Sequence, residues 1–106
     1  MEYVMFEVTI LIPSHDNDGN AFPADAFIVF EEQAARYFGG FTRLPGSAYG
    51  GWIGPRGLDR DSTYLYVVAL KSIEQGKPLA DLVKQAKVLF KQDAIFIRYL
   101  GVAEAI

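Results

Sequence analysis

The chain has 106 residues, of which 51% are hydrophobic and 22% charged, a balance that excludes a disordered chain and fits one domain spanning 1–106. Its net charge of −3 gives no general attraction to phosphate backbones, so no nucleic-acid partner is expected. With no cysteine it is neither a disulfide scaffold nor a thiol enzyme, and a reducing compartment is favoured.

Glu2 to Ile12 predicts the first strand, because Val4, Phe6, Val8, Ile10 and Ile12 alternate with Tyr3, Met5, Glu7, Thr9 and Leu11. Pro13 ends it, and Ser14 to Asn20 (SHDNDGN) is dense in turn formers and reads as a loop. Pro23 to Phe38 predicts a helix: Pro23 suits the first turn, Asp25 suits the positive end of the dipole, and Phe27, Phe30, Ala34, Tyr37 and Phe38 form one apolar stripe. Gly39-Gly40 supplies its stop.

Phe41 to Leu44 starts a second strand that is interrupted near Pro45-Gly46. Gly46 to Asp61 is glycine-rich and predicts a long bulged hairpin with Tyr49-Gly-Gly-Trp52 in its ascending arm. Ser62 to Leu70 is the clearest strand, with Leu65, Val67 and Ala69 opposite Tyr64, Tyr66, Val68 and Leu70. Pro78 to Lys91 predicts the second helix through Leu79, Leu82, Val83, Ala86, Leu89 and Phe90. Ala94 to Val102 is the last strand.

The order β-α-β-β-α-β predicts an α+β fold of ferredoxin-like topology: a four-stranded antiparallel sheet, two helices on one face, and a long Gly-rich hairpin between the second and third strands. One sheet face then has no helix. The residues expected there are Tyr3, Met5, Glu7 and Thr9, then Tyr64, Tyr66 and Val68, then Phe96, Arg98 and Leu100. So apolar a face predicts an interface, and a homodimer or a protein partner would cover it.

Tyr37-Phe-Gly-Gly-Phe-Thr42, Gly50-Gly-Trp-Ile-Gly54 and Gln92-Asp-Ala-Ile-Phe-Ile-Arg-Tyr-Leu-Gly101 carry a resemblance. The chain resembles a group of small bacterial and phage-type proteins with an FGG-x-T turn, a G-x-W hairpin and a Q-x-A-I-x-I-R-x-x-G final strand. The resemblance runs from the first helix to the C-terminus and implies one compact domain. It carries no activity over.

Glu7, Tyr66 and Arg98, with Tyr64 beside them, are the foremost candidates for a ligand or interface site: a carboxylate, a phenol and a guanidinium on one open face. Trp52 on the hairpin is a further candidate. Asp16, Asp18 and Asp25 fall near the ligand positions of a calcium loop, but that loop follows a strand and ends on Asp rather than Glu, so no metal is expected. His15 is the sole histidine, able to act as a base but not to build a zinc site alone. The hairpin glycines do not match a phosphate loop, and no helix follows them; Arg56, Asp59, Arg60 and Asp61 form a mixed-charge turn that could rim a pocket. Lys84, Lys87 and Lys91 form a solvated helix face, and no cofactor is expected.

The longest apolar run, Tyr64 to Leu70, is far short of the roughly 18 residues of a membrane span, and Met1-Glu2-Tyr3 lacks the basic start of a signal peptide. A cytoplasmic location and no membrane contact are expected. Without a complete catalytic set, the expected function is that of a non-catalytic homodimeric domain. The alternatives are a small enzyme or small-molecule-binding protein of the dimeric α/β-barrel type, and a phage- or defence-related protein that binds another protein.

Overall fold

The computed structural model describes residues 3–105; of Tyr3, Val4, Ile73 and residues 100–105 the backbone alone is described. Strand β1 (Tyr3–Pro13) is followed by helix α1 (Ala24–Phe38), strands β2 (Thr42–Arg43), β3 (Ala48–Gly54) and β4 (Gly57–Leu70), helix α2 (Gly76–Leu89) and strand β5 (Phe96–Ala105). The sheet order is β2-β4-β1-β5, with β3 also paired to β4, and every pairing is antiparallel. Among the described residues, no helix is long and apolar enough to cross a membrane.

Five strands replace the expected four, because the predicted second strand breaks. Pro45 has no N–H to give a ladder, and Gly46 takes a left-handed φ of 75°. The break leaves β2 opposite Tyr66 and Val67, and β3 opposite residues 57–63, on the same edge of β4. The β3–β4 hairpin closes at Gly54 and Gly57 around Pro55-Arg56. It makes the molecule long, 49 × 26 × 26 Å.

Helix α1 ends at Gly39, whose left-handed φ of 81° lets its N–H bond the Ala35 carbonyl at 2.7 Å. Phe27, Phe30, Ala34 and Phe38 of α1 join Leu79, Leu82 and Ala86 of α2, with Phe90 just beyond it, over Val8, Ile10 and Ile12 of β1. Tyr66, Val68 and Leu70 complete this core.

That last set corrects the expected open face. The register Val8↔Val68, Ile10↔Tyr66, Ile12↔Tyr64 places Tyr64, Tyr66 and Val68 on the helix-covered side. Leu65, Val67 and Ala69 face away from the helices with Leu11, Thr9 and Glu7. Both faces of β4 are apolar, so alternation alone did not fix which one turns inward. Phe96 and Arg98 lie on the uncovered face as expected, opposite Leu11 and Thr9. The side chains of Tyr3 and Leu100, also expected there, lie outside the described residues.

Candidate functional site

The loop after β1 is held as a small closed unit. Asp16 accepts the N–H groups of Asp18 and Asn20 on one oxygen, Oδ1, at 2.9 Å each. Its backbone N–H bonds the Asn20 carbonyl at 2.8 Å, and Gly19 turns the chain with a φ of 85°. The bond from Asn20, reinforced by Asp18, holds the Asp16 carboxyl below its ordinary pKa of 3.8 against a smaller opposing effect of desolvation. Asp16 is therefore an anchor of the turn and a weak base. Asp25 lies in the first turn of α1, and among the described residues no group of three or more His, Cys, Asp or Glu is placed to hold a metal ion.

Ser14 fixes the imidazole next to it. Its hydroxyl, buried, donates to the Ser62 carbonyl at 3.1 Å and also lies 2.7 Å from His15 Nδ1. The 2.7 Å contact is a hydrogen bond in either neutral tautomer of the ring. It engages Nδ1, so Nε2 is the ring nitrogen not bound to Ser14.

The hairpin brings the opposite wall. Trp52 pairs with Asp59, Gly51 with Arg60 and Gly50 with Asp61 across β3 and β4. A Cβ at Gly54 would collide with the Asp59 carboxylate, so glycine there lets that carboxylate fold back beside the Trp52 ring. Between loop and hairpin lies a cleft of about 630 Å³ lined by His15, Asp16, Asn17, Trp52, Asp59, Arg60, Asp61, Ser62 and Gln92. A second recess of about 330 Å³ shares Pro13, Asn17, Trp52, Asp61 and Gln92 with it and extends toward Leu11, Lys91 and Phe96. Trp52 is the common wall of both. The larger part is lined by three carboxylates and His15, with Asp59 and Asp61 on the Trp52 face of β4 and Arg60 alternating to the other, so it suits a cation with an aromatic or hydrogen-bonding body.

A second polar group lies between α1 and the sheet. The Tyr66 hydroxyl donates to Glu31 Oε2 at 2.6 Å, and burial, reinforced by this bond, pushes the phenol pKa well above its ordinary 10.0. The Arg43 guanidinium lies 3.9 Å from the centre of the Tyr64 ring. A pocket of about 360 Å³ opens beside Glu31, Arg43 and Tyr64. A third recess, about 520 Å³, lies under α2 and is walled by Phe6, Leu79, Val83, Ile97 and Tyr99.

The expected trio of Glu7, Tyr66 and Arg98 does not assemble. Glu7 and Arg98 share the uncovered face but form no ion pair, and Tyr66 is fully buried on the other side. Its carboxylate partner is Glu31, and Arg43 is the nearby guanidinium. Trp52, by contrast, stands in the cleft, half exposed. Glu31 follows Phe27 by four residues and so borders the apolar stripe of α1, a position where a carboxylate reaches the sheet. Arg43 sits in a two-residue strand whose pairing only the fold reveals.

No family model and no curated protein matches the chain. Solved structures do. A phage SAM lyase in complex with S-methyl-5'-thioadenosine superposes with a TM-score of 0.68 at 12% identity, over 95% of this chain and 88% of that one. A phage SAM lyase in the apo state gives 0.62 at 14% identity, over 98% and 89%. At this identity the likeness is one of fold, and it is compatible with the α+β architecture described above.

Proposed function

We propose that the chain is a small enzyme that binds a sulfonium nucleoside of the S-adenosylmethionine type in the cleft around Trp52 and cleaves it to a neutral thioether. The observation that carries this reading is the make-up of that cleft: one half-exposed indole, three carboxylates, Arg60 and a histidine held at Nδ1 by Ser14. The fold shared with phage SAM lyase supports it.

Each group has a task that follows from its chemistry. Trp52 stacks on the adenine, Asp59 and Asp61 face the sulfonium and ammonium charges, and Arg60 receives the carboxylate. A carboxylate beside the sulfonium favours binding rather than rate, since the positive charge disappears in the transition state. The rate then rests on the base. His15 Nε2 takes a proton from the carbon next to the one bonded to sulfur, and that C–H pair becomes a C=C bond. The carbon–sulfur bond breaks with its electron pair on sulfur. The products are S-methyl-5'-thioadenosine, an unsaturated amino acid and a proton that the imidazole returns to water.

Chromatography of S-adenosylmethionine incubated with the protein tests this directly. Release of S-methyl-5'-thioadenosine, lost in His15→Gln, is the expected result. Release undiminished in His15→Gln would replace the base by the substrate's own carboxylate as nucleophile. No release and no calorimetric binding of either compound at millimolar concentration would refute the reading.

We also propose that the sheet follows the ferredoxin-like order. The order β2-β4-β1-β5, with β2 and β3 counted as one interrupted edge strand, supports the ferredoxin-like reading. A second reading, self-association through the uncovered sheet face, is favoured by Phe96, 68% exposed beside Leu11 on that face. Sedimentation at high concentration decides it: a dimer that Phe96→Glu dissociates supports the reading, and a monodisperse monomer rejects it.

A further inference from the structure

Glu31 and Arg43 carry opposite charges into one pocket without pairing to each other: among the described residues the ion pair is Lys77–Asp81. Each is held by an aromatic neighbour instead. Tyr66 fixes one oxygen of Glu31 at 2.6 Å, and among the described residues Oε1 has no protein donor. The Arg43 guanidinium carbon lies 3.9 Å from the centre of the Tyr64 ring and the group also faces the Tyr66 hydroxyl, and its N–H donors outnumber these contacts. Phe22, Phe27 and Ile28 supply apolar lining to the same pocket. The volume, about 360 Å³, lies within the range of small-molecule sites, roughly 300–1,000 Å³.

We infer that this pocket is a second ligand site, separate from the Trp52 cleft, for a free α-amino acid with an apolar or aromatic side chain. The ammonium of such a ligand donates to Glu31 Oε1, its carboxylate accepts from the edge of Arg43, and its side chain lies against Phe22 and Phe27. A zwitterion matches one fixed charge of each sign held apart. A plain anion or cation satisfies one and leaves the other facing it. No bond is made or broken, so the site binds and does not catalyse. It depends on neither the nucleoside reading nor the cleft residues.

Calorimetry with L-phenylalanine on the whole chain tests the inference. Saturable binding is expected, at least tenfold weaker for N-acetyl-phenylalanine, which lacks the ammonium, and for phenylalanine methyl ester, which lacks the carboxylate. Arg43→Gln, at an exposed position, should lose the binding with the fold intact, and Trp52→Ala should keep it. The ligand series needs no variant, so a folding defect in Glu31→Gln would not obscure the outcome. No heat up to 10 mM L-phenylalanine, or equal affinity for all three compounds, would overturn the assignment and leave Glu31 and Arg43 as supports of Tyr66 and Tyr64 alone.

Discussion

The interior around Tyr66 and the rim around Trp52 contain the same kinds of residue, arranged to opposite ends. Both have an aromatic ring, carboxylates and a guanidinium. At Tyr66 the buried phenol is satisfied by one oxygen of Glu31, and the rings of Phe30 and Phe41 lie 5.0 and 6.0 Å away. At Trp52 the indole is half exposed, and Asp59 and Asp61 have no side-chain hydrogen-bond partner among the described residues. A buried polar group must find a partner inside the protein or destabilise it. A polar group at the rim has water for a partner and can exchange it for a ligand. The first region therefore specifies the fold, and the second remains available for chemistry.

Breaking the interior should have the largest effect. Phe30 is fully buried, edge-on to Tyr66 and 6.2 Å from Phe90. Phe30→Ala removes the ring and leaves a cavity, at a cost of about 3–5 kcal/mol. Urea unfolding measures it, and a loss below about 1 kcal/mol would show that this core is not the one that holds the sheet to α1.

Tyr66→Phe keeps the ring and removes one hydroxyl. It takes the donor from a half-buried carboxylate, for a loss of about 1–3 kcal/mol at neutral pH. The pH dependence carries a second signature. The folded-state pKa lies above the unfolded value of 10.0, so the native state keeps a proton that the unfolded chain releases. Its contribution is fully present below pH 10 and declines as pH rises beyond it. Alkaline unfolding of Tyr66→Phe should lack that decline. An unchanged alkaline limb would assign it to another group.

The contrast also marks how far the sequence could be read. Period-3.6 stripes located α1 and α2 within two residues of their ends, and Pro45-Gly46 marked the break that separates β2 from β3. Alternation found β4 but not its inward face, because Leu65 and Val67 are as apolar as Tyr66 and Val68. Only the pairing of Ile10 with Tyr66 decides between them. That one ambiguity moved Tyr66 away from Glu7 and Arg98 and concealed its partnership with Glu31, 35 residues earlier in the chain. The cleft was partly legible: Trp52 and the charged turn stood out by composition, whereas their meeting with His15 depends on how the loop after β1 folds toward the hairpin.

At the rim the effects on global stability should be small. Asp16→Ala removes the acceptor for the Asp18 and Asn20 N–H groups, so amide exchange should quicken at those two residues while the β-strand amides stay protected. Because the Asp16 pKa lies below 3.8 in the folded protein, the same two amides should lose protection in the parent protein only as pH falls through that range. Loss of protection across the whole sheet would mean that the loop supports the fold as well as the cleft.

Trp52→Ala is the sharpest comparison with Tyr66→Phe, since it deletes the larger group and should disturb the fold less. The indole lies on β3, which pairs with β4 alone, outside the buried core cluster. Its removal should leave global stability within about 0.5 kcal/mol of the parent, as for other substitutions away from packed or paired groups. Ligand binding should respond in the opposite sense. Stacking of one base on an aromatic ring is worth about 1–3 kcal/mol, so under the proposed nucleoside reading affinity for S-methyl-5'-thioadenosine should fall roughly five- to 150-fold. Equal losses of stability and affinity would mean that Trp52 acts by packing the hairpin, and the division between a fold-specifying interior and an available rim would fail at the residue on which it most depends.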